Sequence, residues 1–178
     1  GSHNFFAGYQ AGIGQTNGAC NIAIGYQAGC SMQKCHNIAM GQGAGALIGD
    51  GLRNVFIGNE AGRGQGTAAD NCATSNVAVG PDALNKLTDG SCNIGIGLAA
   101  GGCLSTGMQN TFIHYFSGRY VGTGTGNLGI GKGAGAKLGA GNYNVSLGYD
   151  AGFGDCTGGT AADNDGSYNI SIGNAAGH

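Results

Sequence analysis

A parallel β-solenoid of about ten coils is the all-β architecture this sequence predicts, on three observations. The first is a frame, Asn-Φ-x-Φ-Gly-x-x-Ala-Gly with Φ apolar, that starts at Asn4, Asn21, Asn37, Asn54, Asn76, Asn93, Asn110, Asn127, Asn144 and Asn169. Successive starts lie 17, 16, 17, 22, 17, 17, 17, 17 and 25 residues apart, a 17-residue repeat with one deletion and two insertions. The second is the apolar alternation inside the frame, as in Ile22 and Ile24, Val55 and Ile57, or Ile94 and Ile96, which marks short β-strands. The third is glycine at fixed phases: 41 of 178 residues are Gly, but they recur with the repeat, unlike those of a flexible linker or of collagen's three-residue period. Two helices do not fit in 17 residues, and each interior Gly would cost a helix about 1 kcal/mol, so a helical solenoid is excluded.

Each part of the frame has an expected task. The two Φ positions are expected to face the core, with the residue between them (Phe6, Ala23, Ala39, Phe56, Ala78, Gly95, Phe112, Gly129, Ser146, Ser171) facing outward. The Gly after the strand, such as Gly25 or Gly148, ends it where the chain must turn or take φ > 0. A second inward position is expected eleven residues after the Asn, at Met32, Ile48, Leu87, Leu104, Val121 and Leu138. Stacked coils bring the ten Asn into one column at the interstrand spacing of about 4.8 Å, where an amide that both donates and accepts forms a hydrogen-bonded ladder.

Along the chain, a single domain of residues 1–178 divides into two five-coil super-repeats, about 1–75 and 76–178. The insertion loops, 63–75 and 153–168, carry the same text: Gly66-Thr67-Ala-Ala-Asp70-Asn71 and Gly159-Thr160-Ala-Ala-Asp163-Asn164. Solenoid insertions project as loops on one flank, which makes Thr67, Asp70, Thr160 and Asp163 candidate recognition residues. The seventh coil is the other departure. His114 replaces the turn glycine, where a non-Gly residue is expected to strain or change the turn, and His114, Tyr115, Phe116 and Tyr120 form a candidate recognition surface, for packing between chains or, as the second choice, for stacking on a sugar. The final Asn174-Ala-Ala-Gly177-His178 completes a motif without a polar cap, as expected for a piece of a longer array or one capped by a partner.

Other chemistry finds little purchase. A net charge of −2 leaves no footprint for nucleic acid, and no apolar run is long enough to span a membrane as a helix. The seven cysteines include no Cys-x-x-Cys; Cys20 and Cys35 fall near one corner of adjacent coils and are a candidate cross-coil disulfide, a feature of extracellular rods. His3, Cys20 and His36 share the position before the Asn in three consecutive coils, but neither metal nor cofactor is expected there. The acids are scattered over separate coils, and no nucleophile elbow, P-loop or His-Glu-x-x-His is present, so the chain reads as non-enzymatic.

Asn21-Ile-Ala-Ile-Gly-Tyr-Gln-Ala28, with Asn76-Val-Ala-Val-Gly80 and Asn169-Ile-Ser-Ile-Gly173, resembles the head repeats of trimeric autotransporter adhesins of the Yersinia adhesin type. It is also similar to the Asn-x-x-Ile-Gly-x-x-Ala-Gly repeats of bacteriophage tail fibres. The resemblance covers all ten coils and implies a β-roll or β-helix, usually trimeric, that presents a surface to a host or matrix. The expected function is thus a fibre or adhesin segment, extracellular or virion-borne, that binds a host-surface glycan or protein. A self-assembling matrix filament that stacks through its ends is the alternative. An ice-binding solenoid comes third, because the residues expected to face outward are too irregular for an array of Thr columns.

Overall fold

The computed structural model describes residues 1–153 and 166–177, and among these the chain is a parallel β-solenoid. Ten three-residue strands, β1 (Phe5–Ala7), β2 (Ile22–Ile24), β3 (Ile38–Met40), β4 (Val55–Ile57), β5 (Val77–Val79), β6 (Ile94–Ile96), β7 (Thr111–Ile113), β8 (Leu128–Ile130), β9 (Val145–Leu147) and β10 (Ile170–Ile172), form one sheet in sequence order. Every neighbouring pair is parallel and in the register of the repeat; Ile22 pairs with Ile38, Gly95 with Phe112, and Phe112 with Gly129. At about 4.8 Å per strand, the ten coils extend roughly 48 Å. The rest of each coil is turn, and its backbone bonds also run from coil to coil, as in Gln27 N–H to the Tyr9 carbonyl and Gly29 N–H to the Ala44 carbonyl.

The side assignment of the strands is the reverse of the sequence expectation. The middle residue points inward: Ala23, Ala39, Phe56, Ala78, Phe112 and Ser146 are buried. The Φ residues point outward and stay half-exposed or exposed, with Ile94 at 36%, Ile96 at 39% and Ile130 at 41%. Parity explains this. Side chains alternate along a strand, and the Asn two residues before the middle position is itself buried, so both face the lumen and the Φ pair cannot. The lumen is also thin, which suits Ala, Gly and Ser better than a double column of Ile.

Large side chains enter the middle column at every third coil, as Phe6, Phe56 and Phe112, with small residues between. Space for each ring comes from glycines: a Cβ on Gly62 would overlap the Phe56 ring, and one on Gly118 would overlap that of Phe112. In the fifth coil Leu84 takes the place of the usual Gly, at φ +47°, and fills the gap beside Gly95, whose Cβ would lie 2.9 Å from Leu84 Cγ. The second inward position holds as expected: Met32, Ile48, Leu87, Leu104 and Val121 are fully buried, and Leu138 nearly so.

The strand-ending glycines adopt φ near +125°, for example +129° at Gly25 and +124° at Gly97. His114 keeps that turn at φ +106°, a strained value for a residue with a side chain.

Candidate recognition surfaces

The Asn column is built as a continuous ladder. From Asn21 to Asn169, each backbone N–H donates to the Oδ1 of the Asn one coil earlier at 2.8–3.0 Å. From Asn54 onward the side-chain Nδ2 donates to that same Oδ1 at 3.0–3.1 Å. Nδ2 also reaches the corner carbonyl of the next coil, as in Asn4 to Gly18 at 3.0 Å, Asn93 to Gly107 at 2.9 Å and Asn127 to Gly141 at 2.8 Å. Asn21 through Asn144 in this column are buried, and their amides are consumed by one another. From Asn21 to Asn144 the column therefore holds the coils in register and offers no groups to a ligand.

A second ladder, which sequence reasoning missed, runs two residues before the Asn. Thr74 N–H donates to Ser91 Oγ at 3.3 Å, Thr125 N–H to Asn142 Oδ1 at 2.8 Å, and Asn142 N–H to Ser167 Oγ at 2.9 Å. Ser, Thr and Asn recurring at one phase was the available signal. Cys35 serves the same ladder: its Sγ accepts from Ala19 N–H at 3.3 Å. Cys20 and Cys35 are both free thiols, so the expected staple is not formed. The residue before the Asn instead has a left-handed backbone, with φ +60° at His3, +57° at Cys20 and +63° at His36. No three His, Cys, Asp or Glu among the described residues are grouped to hold a metal.

In the first insertion Thr67 leads into a 3-10 helix, Ala68–Asp70, without a side-chain cap bond. Asn71 then anchors the loop from within: fully buried, it donates through Nδ2 to Leu47 O at 2.7 Å and Gln65 O at 3.0 Å. Thr160 and Asp163, in the second insertion, lie outside the described residues.

The seventh coil brings its predicted residues together with cations. Tyr115 and Phe116 stack with centroids 3.9 Å apart, and Arg119 lies 3.9 Å over Phe116 and 5.2 Å from Tyr120. In the eighth coil Lys132 reaches over Tyr149 at 5.0 Å and Tyr115 at 5.9 Å. Sequence reasoning had the aromatics and missed the cations: Arg119 precedes Tyr120 directly, and Lys132 comes from the next coil. His114 is exposed beside this stack.

The sheet's outer face is the other surface. Its two columns are Phe5, Ile22, Ile38, Val55, Val77, Ile94, Thr111, Leu128, Val145 and Ile170, and Ala7, Ile24, Met40, Ile57, Val79, Ile96, Ile113, Ile130, Leu147 and Ile172. Thr111 is the single hydroxyl among them. The irregular column on which an ice-binding array was set aside is thus the inward one, and the outward columns do not supply the Thr array either. Tyrosines extend the face on both flanks, where Tyr9 stacks with Tyr26 at 5.6 Å and Tyr143 with Tyr168 at 5.4 Å. No helix among the described residues is long and apolar enough to cross a membrane. Comparison with protein-family models, with curated proteins and with solved structures returns no match for this chain.

Proposed function

We propose that the chain is a non-enzymatic structural segment of a fibre or adhesin, extracellular or virion-borne, whose copies associate as a trimer through the outer sheet face. The apolar columns of that face carry the proposal. Three residues of width at about 3.3 Å, along a sheet of roughly 48 Å, give a continuous apolar strip on the order of 500 Å² per copy. Contiguous exposed apolar patches of that size mark contact sites on soluble chains, and flanking turn residues such as Tyr9, Tyr26, Tyr143 and Tyr168 widen the strip at its ends. The resemblance of the repeat to adhesin heads and tail fibres supports three copies about one axis, leaving the turn flanks free to meet a host-surface glycan or protein.

Mass measurement in solution tests this. A discrete trimer is expected, and Ile96→Lys with Ile130→Lys should give monomers with an unchanged β circular-dichroism signal. Open-ended polymers would favour the filament, and a wild-type chain that stays monomeric at about 100 μM would sink the assignment of the face.

A further inference from the structure

Between the fifth and seventh coils the turn flank opens into a cleft of about 440 Å³. It exists because the sixth coil carries Ala99, Gly102 and Cys103 where the fifth has Asp82, Asn85 and Lys86 and the seventh has Phe116, Arg119 and Tyr120; Leu98 of the sixth coil closes one end of this short floor. The walls rise from backbones two coil spacings apart, about 9.6 Å, which is room for one flat ring over the short floor.

The polar groups of the two walls define what fits. The Arg119 Cζ lies 3.9 Å over the centre of the Phe116 ring, which itself stacks with Tyr115. A cation–π contact engages the charge of the guanidinium without using its N–H donors, and no hydrogen bond from them to another residue is present among the described residues, so they are open to a planar anion. Neither Arg119 nor Lys86, on the opposite wall, makes an ion pair among the described residues. Asn85 spends its Nδ2 on Asp82 Oδ1 at 3.1 Å, Glu60 Oε2 at 3.2 Å and Glu60 O at 3.3 Å, which leaves the amide oxygen as the group it can offer a ligand, alongside the Asp82 carboxylate. A neutral sugar would leave two cations unmatched, and a compact free dianion would meet Asp82 and Glu60. A ring with one carboxylate and several hydroxyls satisfies both sets.

We infer that this cleft binds a uronic-acid residue of an acidic glycan, its carboxylate on Arg119 and Lys86, its hydroxyls on Asp82 and Asn85 Oδ1, and its ring over Gly102. The inference rests on the attachment role proposed above and gives it a ligand class.

Trigalacturonate and its neutral methyl ester, titrated into the full chain and followed by calorimetry, test it. The acid should bind in the millimolar range and the ester at least about tenfold more weakly. Arg119→Gln should also cost at least about tenfold, Lys86→Gln about threefold. Cys103→Tyr, at a position where neighbouring coils carry Lys86 and Tyr120, should fill the cleft and abolish binding without altering charge. Equal affinity for acid and ester, no saturation by about 20 mM, or full binding by Arg119→Gln or Cys103→Tyr would overturn it. The masses of the same samples report the sheet-face interface separately: binding by a monomer would refute the trimer alone, and a trimer that does not bind would refute the cleft alone.

Discussion

The two sides of the same three-residue strand do different work. On the inner side Phe112 is fully buried, with Gly95 and Gly129 as its in-register neighbours and Gly101 and Gly118 against its ring. On the outer side Ile113, one residue on, is half-exposed in a column of aliphatic neighbours. The inner column varies widely in size but is compensated coil by coil; the outer columns are almost all aliphatic, with Phe5 and Thr111 the exceptions, and are uncompensated. Variation with compensation is what a filled lumen requires, and uniformity is what a flat contact surface requires.

The largest expected effect lies on the inner side. Phe112→Ala removes a ring that glycines on every side were selected to admit, and those glycines cannot refill the space. A loss of about 3–5 kcal/mol is expected, read as a lowered midpoint in denaturant. A cost under about 1 kcal/mol would mean that the lumen collapses around the gap, and that the glycine pattern serves the turns alone.

Next comes the ladder. Asn93 Oδ1 accepts the Asn110 N–H and Nδ2, both at 3.0 Å, while its Nδ2 donates to Asn76 Oδ1 at 3.0 Å and Gly107 O at 2.9 Å. Asn93→Ala orphans the buried donors of Asn110 and the Gly107 carbonyl, for an expected loss of about 2–4 kcal/mol. Because coils are stabilised by their neighbours, the break should appear by hydrogen exchange first in the coils on either side of residue 93.

What was legible in the sequence divides along the same line. The period, the Asn column and the turn glycines could be read because each depends on a local backbone requirement repeated ten times. The sidedness of the strand was misread because β-branched residues were taken as core, although a buried Asn two positions before the middle residue already fixes the parity. Cys35 was read as a staple because its place in the hydroxyl and amide ladder shows only when the residues before the Asn are aligned as a column. The cleft over Gly102 could not be read from any one coil, since it is a difference between three. The aromatic cluster of the seventh coil was visible, but Arg119 and Lys132 reach it only through the turn geometry and the stacking of coils.

The seventh coil also offers a gain. His114 holds φ +106° where the nine other coils place Gly at +124° to +135°, and the bond from Gly131 N–H to Ile113 O beside it is 3.1 Å against 2.8 Å for that from Gly58 N–H to Met40 O. His114→Gly should therefore raise stability by about 1 kcal/mol, less whatever the freer unfolded chain takes back. Thermal unfolding checks it; a destabilised variant would mean that the imidazole makes contacts worth more than the strain.

The smallest effect, and the sharpest on the two sides, belongs to Ile113→Ala. In a monomer this half-exposed side chain has little left to lose, so a cost of about 1 kcal/mol or less is expected, well below that of Phe112→Ala. In a trimer the same change also removes apolar area from the interface, and the apparent stability of an oligomer depends on protein concentration. The difference between variant and wild type should then grow as concentration rises through the range where trimers form, whereas the cost of Phe112→Ala should stay largely constant. A concentration-independent, small cost for Ile113→Ala would leave the outer face without a partner and the uniformity of its columns without a cause.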